Sequence, residues 1–322
     1  MFSNFENKTI LITGGCGYLA SALIRLLCDT KCRVIRLDRP ESDWSRIGEN
    51  VEVNDLAADI RDPQIWEQAL DGVDIVFHFA AQTSAYCAND DPTADHLINV
   101  QPMLQLLEAC RRQQRRPAVC FSSTVTVAGI PASLPVNEQH PDHPLTLYDL
   151  HKQMAEQYLQ YYAGQGVVRG VALRLTNIYG PGPASSRADR GVLNRMIRKA
   201  LAGEPLTVYG SGELLRDYLF VDDAAGAFLA AAAAAGKLNG RRFVIGSGEG
   251  HTIAGAMEVV AQRTALKTGV TVAVDHIPPP ASLSPIEERN FVADSNSFML
   301  ATGWKPAYSF ALGIDRTLEA FS

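Results

Sequence analysis

Tyr148 and Lys152 stand four residues apart, so on a helix both side chains share one face. A tyrosine hydroxyl, with a reference pKa of about 10, is a poor base at neutral pH. An ammonium beside it favours the phenolate and makes it a usable acid–base group. Such a pair also arises by chance in helices, so its place in the chain must decide. Here it follows a β-rich run that ends in Ser122-Ser123-Thr124, whose Thr124 hydroxyl can hold and orient a substrate oxygen.

A second constellation lies near the start. Thr13-Gly14-Gly15-Cys16-Gly17-Tyr18-Leu19-Ala20 separates a short apolar run from a helical pattern. Glycines there permit a tight turn and let backbone approach a pyrophosphate, which the following helix N-terminus attracts. Asp38 closes the second strand 21 residues after Gly17. A carboxylate at that place accepts from the ribose hydroxyls and repels a 2′-phosphate, favouring NAD over NADP. The neighbouring Arg39 is a feature that would suit NADP. Asp59-Ile60 can edge the adenine, although Asp before a helix is also a plain N-cap. Phe79, Ala80 and Ala81 end a strand with small residues, which leaves room for a ligand backbone or for tight helix packing.

These groups need a scaffold of alternating strands and helices. Thr9 to Thr13, Arg33 to Leu37, Asp74 to Phe79, Val119 to Phe121 and Val171 to Leu175 read as strands. Leu19, Leu23, Leu26 and Leu27 repeat at helical spacing, as do Leu97, Val100, Leu104, Leu107 and Cys110. Pro102 should kink or split the latter helix. A proline-rich loop from Gly129 to Leu147 leads to a helix over Tyr148 to Tyr162. The pattern predicts an α/β fold, a doubly wound parallel sheet covered on both faces. After Tyr179-Gly180-Pro181-Gly182-Pro183 the alternation loosens, with a helix over Val192 to Leu201, which predicts a smaller mixed α/β C-terminal lobe.

Composition excludes several classes. The 322 residues are 47% apolar and 20% charged, with 29 Lys plus Arg against 35 Asp plus Glu and a net charge of −6. A mildly acidic chain without a basic stripe is not built for nucleic acid or anionic membranes. The first residues carry no signal-peptide pattern, and no apolar window is long enough to cross a bilayer. Six cysteines form no Cys-x-x-Cys pair and no metal spacing, so no metal is expected and reduced thiols in the cytoplasm are the simplest reading.

Taken together, the glycine run at 13–20, His78 to Gln82, Asn99-Val100, Ser122 to Thr124 and Tyr148/Lys152 resemble the extended short-chain dehydrogenase/reductase family. So do Leu173-Arg174 with Asn177 and Tyr179 to Gly182, and Arg216-Asp217-Tyr218 with Val221 to Asp223. The resemblance is to its NAD-dependent nucleotide-sugar epimerases and dehydratases. It implies a Rossmann domain over 1–176, rejoined by 215–248, and a nucleotide-sugar lobe over 177–214 and 249–322. It implies NAD contacts from Gly14, Gly17, Tyr18, Leu19, Asp38, Asp59, Ile60, Phe79, Ala80, Ala81, Asn99 and Ser122, besides Tyr148 and Lys152. Gln82 and Thr124 are implied to meet the sugar, Asn177, Arg216 and Arg289 the diphosphate, Thr207 and Tyr209 the nucleotide end. Asn194 is a further substrate candidate. For Arg216 the plain alternative is a salt bridge with Asp217. For Tyr209 it is a place in the core. The same resemblance implies a homodimer that packs helices near 95–112 and 148–163 into a four-helix bundle.

Within that family, dehydratases carry an Asp-Glu pair directly after the catalytic Ser/Thr. Here Val125-Thr126 stand there, which leaves no carboxylate for water elimination and resembles the hexose 4-epimerase pattern. The implied reaction is epimerisation at C4 of an NDP-hexose, most simply a UDP-sugar, through a transient 4-keto intermediate. Rivals are a nucleotide-sugar reductase, a decarboxylase with Arg187 or Arg190 as its extra arginine, and a C2- or C5-epimerase. A non-catalytic NAD-sensing protein is a rival of another class, opposed by the joint presence of Thr124, Tyr148 and Lys152. Two departures stand out. Ala128 replaces the usual Tyr and is expected to loosen the pocket. The usual Tyr-Gly-x-Ser-Lys is Tyr148-Asp149-Leu150-His151-Lys152, with His151 expected to be a packing residue beside the cofactor.

Overall fold

The computed structural model describes residues 2–45, 51–183, 191–281 and 283–322. Its first half alternates β1 (Thr9–Thr13), α1 (Tyr18–Leu26), β2 (Arg33–Asp38), β3 (Glu52–Ala57), α2 (Ile65–Ala69) and β4 (Ile75–His78). It continues through α3 (Ala85–Asp90), α4 (Pro92–Asn99), α5 (Gln101–Gln113), β5 (Ala118–Thr124), α6 (Leu147–Gly164) and β6 (Arg169–Leu175). The second half holds β7 (Asn177–Tyr179), α7 (Val192–Leu201), β8 (Leu206–Tyr209), β9 (Leu215–Phe220), α8 (Val221–Ala233), α9 (Ala235–Leu238) and β10 (Arg241–Ile245). It ends with β11 (Gly250–Thr252), α10 (Ile253–Thr268), β12 (Val274–Ile277), α11 (Asn296–Thr302) and α12 (Phe310–Phe321).

Seven strands form one parallel sheet in the order β10-β6-β5-β4-β1-β2-β3. Buried on both faces, they are nearly continuous apolar runs: Ile10, Leu11 and Ile12 in β1, Val76 and Phe77 in β4 and Val119 to Phe121 in β5 are almost fully shielded. This is the Rossmann-like α/β arrangement that the alternating pattern predicts. Strand order reverses between β1 and β4, so the crevice beyond their carboxyl ends is the natural ligand site. Pro102 splits its helix as expected: α4 ends at Asn99, and Pro102 sits in the first turn of α5, where its missing N–H leaves no bond unmade.

A second apolar cluster gathers α7, β8, α10 and α12 around Ile197, Val208, Val260 and Ile314. There β8 pairs with β12, and β9 joins β7 and β11. The predicted return of 215–248 to the first layer is therefore divided. Helix α8 packs in the main core and β10 extends the main sheet, while β9 pairs with strands of the C-terminal half. Arg187 and Arg190 lie outside the described residues. Among the described residues, no helix is long and apolar enough to cross a membrane.

Arg174 on β6 ties the sheet to α6. Its buried guanidinium donates to Glu156 (2.6–3.2 Å) and to Asp142 (2.5 and 2.9 Å). Breaking such a pair leaves carboxylates buried without a counter-charge. Replacing Arg174 by Leu is expected to lower the unfolding free energy by about 3–5 kcal/mol, read as a drop in the urea midpoint. An unchanged midpoint would show that the two carboxylates find other donors.

Candidate active site

The crevice at the strand-order reversal is a cavity of ≈ 700 Å³. Gly14, Gly17, Tyr18 and Leu19 form its floor at the start of α1, and Phe79, Ala80, Ala81 and Gln82 flank it after β4. Asp38, Asp59 and Ile60 close one end, Ser122 the other. Ala58, Thr83, Ile98, Leu175 and Ile178 also line it, none marked by a motif. The glycines are needed. Gly14 has φ +66°, and a Cβ on it would lie 2.9 Å from the Ala80 nitrogen. Thr13 and His78 pin the two strand ends together through Thr13 Oγ1 and His78 Nδ1 (2.8 Å), and Thr13 Oγ1 also accepts from the Ala80 N–H. Burial, helped by Lys152, pushes His78 down to about 3, so it stays neutral.

Asp38 accepts from the Cys16 and Arg39 N–H groups and from the Ser42 hydroxyl (2.8–3.0 Å), which aims its carboxylate at the glycine turn. Arg39 also lines the cavity, with its guanidinium 3.2 Å from Glu41 in solvent. The Asp59 carboxylate is gripped by Arg61, which holds it below the usual carboxylate range, so it is a local anchor and does not cap the adenine with a free carboxylate. Cys16, in the glycine turn, is raised to about 11 by burial and keeps its proton. The cavity's volume, its glycine turn beside a helix N-terminus and the carboxylate at β2 fit a dinucleotide.

Beside Ser122 stands the Tyr-Lys pair of α6. Helix α6 opens with a reciprocal capping box between Thr146 and Asp149, which places Tyr148 in its first turn. Tyr148 is 8% exposed. Lys152 lies one turn on, with its ammonium donating to the Ser122 carbonyl (2.7 Å) and standing over the Phe121 ring. Burial lowers Lys152 to about 8, against the pull of Asp95 and Glu156. Thr124 ends β5 with its hydroxyl 2.8 Å from that of Thr126.

The structure gives several of these residues partners from distant parts of the chain. His151 is more than a packing residue: its Nδ1 lies 2.6 Å from buried Asp95, a residue 56 positions away. The same carboxylate accepts from Gln82 (2.6 Å) and Asn99 (2.9 Å). Gln82 thus borders the cavity with its amide donating to Asp95 and to the Ser84 carbonyl. Asn99 sits behind that wall, donating to the Gln82 carbonyl. Ala128 does not open the pocket, because it is buried among Val125, Val136 and Phe291. Asn194 gives its amide to Gly180 and the Tyr18 hydroxyl (3.0–3.1 Å), which makes it a strut between loops. A carboxylate does reach the Val125-Thr126 turn, since the Thr126 hydroxyl donates to Asp149 from α6.

On the second half, Asn177 reaches the Asp217 carbonyl (3.2 Å) beside Arg216 on β9. Arg216 does not pair with Asp217. Successive strand residues face opposite ways, and Asp217 instead accepts from Ser247, Gly248 and Ala293. Arg216 donates to the Arg289 and Glu287 carbonyls, and the guanidinium groups of Arg216 and Arg289 flank the Glu287 carboxylate at 3.4 and 3.7 Å. Thr207 and Tyr209 lie on β8, and Tyr209 is 53% exposed, which removes it from the core.

A parallel sheet with a dinucleotide crevice at its switch point, and a Tyr-Lys pair on the helix after its fifth strand, define a nicotinamide-dependent short-chain dehydrogenase type of enzyme. The NAD dependent epimerase/dehydratase family model matches residues 10–246, and the chain belongs to that family. UDP-glucose 4-epimerase of Mycolicibacterium smegmatis is 31% identical over 319 residues, 97% of each chain. The crystal structure of UDP-glucose 4-epimerase with UDP-glucose from Thermotoga maritima superposes with a TM-score of 0.85 at 27% identity, covering 97% of this chain and 98% of that one. The Thermus thermophilus UDP-glucose 4-epimerase complex with NAD gives 0.81 at 30% identity, with the same coverage. NAD is the cofactor of the family.

Lys152 sets a pH signature. Its folded pKa lies below its ordinary value, so between about 8 and 10.5 the unfolded chain binds more protons than the folded one. The stability of the wild type relative to Lys152→Met should therefore rise with pH across that window and stay level below it. Urea unfolding at a series of pH values measures this, and a level difference throughout would contradict a buried ammonium.

Proposed function

We propose that the chain is an NAD-dependent epimerase of a nucleotide-activated sugar, acting at C4 of a UDP-hexose through a transient 4-keto intermediate. The observation that carries this reading is the joint placing of Tyr148, Lys152 and Thr124 on α6 and β5, where Lys152 holds the Ser122 carbonyl at the wall of a dinucleotide cavity. NAD bound there supplies the redox half of the chemistry, taking the hydrogen at C4 with its electron pair and returning it to the opposite face. Tyr148 removes the 4-hydroxyl proton and gives it back. Lys152 favours its phenolate, and the N-terminus of α6 adds a positive dipole end. Thr124 orients the sugar oxygen. Gly14, Gly17 and the first turn of α1 hold the pyrophosphate, and Asp38 the adenosine ribose.

Arg216 and Arg289 hold the substrate diphosphate, for which the planar fork of arginine is suited. Their convergence on the Glu287 carboxylate supports an anion site between them. Asn177 adds a contact from β7, and Thr207 with Tyr209 flanks the nucleotide end. The nucleotide-sugar lobe is then 177–214 and 249–322 with β9, laid over a Rossmann lobe. The relatives named above act on UDP-glucose, which supports a UDP-hexose. Leu97, Leu150 and Tyr161, exposed on α4 and α6, support a homodimer through a four-helix bundle. Cys16, Cys28, Cys32, Cys110 and Cys120 are free thiols, which supports a cytoplasmic setting.

NMR of the purified protein with UDP-glucose, UDP-GlcNAc, UDP-glucuronate and their dTDP, GDP and CDP counterparts, without added cofactor, tests this reading. One substrate should convert to its 4-epimer, and Tyr148→Phe should slow the conversion by about 10²–10⁴-fold. Turnover only when NAD(P)H is supplied would replace the epimerase with a reductase.

A further inference from the structure

Asp149 is 1% exposed, yet its two oxygens have different company. Oδ2 accepts the Thr146 N–H (3.2 Å) and the Thr146 hydroxyl (2.8 Å), which itself accepts from the Asp149 N–H. Oδ1 faces the Thr126 hydroxyl, and Thr126 Oγ1 lies 2.8 Å from Thr124 Oγ1. A hydroxyl has one proton to give, and a carboxylate only accepts. The Thr126 proton therefore points to Asp149, and the Thr126 oxygen takes the Thr124 proton. The Thr124 oxygen accepts the Thr126 N–H at 3.2 Å and keeps one lone pair for a further donor. Three groups thus form a chain of one sense, running from the site to a buried carboxylate.

We propose that Thr124, Thr126 and Asp149 are a second proton route beside Tyr148, one that takes the substrate hydroxyl proton and returns it in turnovers where Tyr148 does not. The proposal rests on the epimerase reading. In the forward step the substrate O–H bond breaks and a bond from that proton to Thr124 Oγ1 forms. The Thr124 proton moves to Thr126, and the Thr126 proton to Asp149 Oδ1. The electron pair of the broken O–H bond becomes the second C–O bond, while the hydrogen on that carbon leaves with its own pair to the nicotinamide cofactor. Thr124 then holds a proton facing the new carbonyl oxygen, so it donates where it had accepted. Reversal restores every proton. Asp149 lies away from solvent, so the proton waits inside the protein. Thr124 touches substrate, whereas Thr126 and Asp149 act through it.

Thr126→Val cuts the chain and leaves the Thr146–Asp149 cap of α6 untouched. In a Tyr148→Phe background, residual epimerisation should persist, and adding Thr126→Val should lower its kcat by about tenfold or more with KM unchanged. Thr126→Ser should restore the residual rate. If Thr126→Val does not fold, Asp149→Asn decides, because it keeps an acceptor for the cap and cannot take the proton. Tyr148→Phe without any turnover, or equal rates with and without the cut, would overturn the route while leaving an active wild type as an epimerase. A wild type that converts none of the sugars would overturn the epimerase reading and the route with it.

Discussion

The registry of α6 against the end of β5 is the constraint on which the rest of the chemistry depends. Two side chains of the first turns set it. Lys152 holds the Ser122 carbonyl, and Asp149 holds the Thr126 hydroxyl, two strand-end residues four apart. The Thr146–Asp149 box decides where the helix begins, so Tyr148 falls in its first turn. Tyr148 is then buried one turn before Lys152, near the positive end of an 18-residue helix. A helix displaced by one residue would turn each of these groups by about 100° and separate them.

The cofactor crevice follows from a different cause. Every strand of the large sheet runs the same way, so all the connections out of its carboxyl edge splay apart where β1 and β4 meet. Thr13 and His78 keep that gap from drifting, with His78 held neutral by burial so that its ring can share one proton with a hydroxyl. Behind the wall, Asp95 gathers His151, Gln82 and Asn99 into one buried cluster. The backbone that lines the crevice is thereby fixed from both sides.

Much of this was readable along the chain because it depends on local spacing. The glycine turn, Asp38, the Tyr-Lys pair and the split at Pro102 each follow from residues within one or two turns of each other. Groups that depend on distant partners were not readable. Asn194 looks available until Tyr18, 176 positions away, is brought against it. His151 looks like packing until Asp95 arrives from α4. The residues that directly follow Thr124 carry no carboxylate, whereas α6 supplies one across space. A signal for it existed: Thr146-x-x-Asp149 is the pattern of a helix N-cap, and it places that carboxylate at the start of the helix.

Tyr18 joins parts that are otherwise separate. It begins the helix beneath the cofactor, and its hydroxyl donates to the Gly180 carbonyl (2.7 Å) while accepting from Asn194 at the start of α7. Its ring lies so close to Gly182 that a Cβ there would come within 2.4 Å of it. The crevice and the C-terminal half therefore share a latch. Opening the molecule along this edge forfeits two hydrogen bonds, worth about 0.5–1.5 kcal/mol each, and unstacks a ring. Because Tyr18 also lines the crevice, any opening of the two halves along this edge displaces part of the crevice wall.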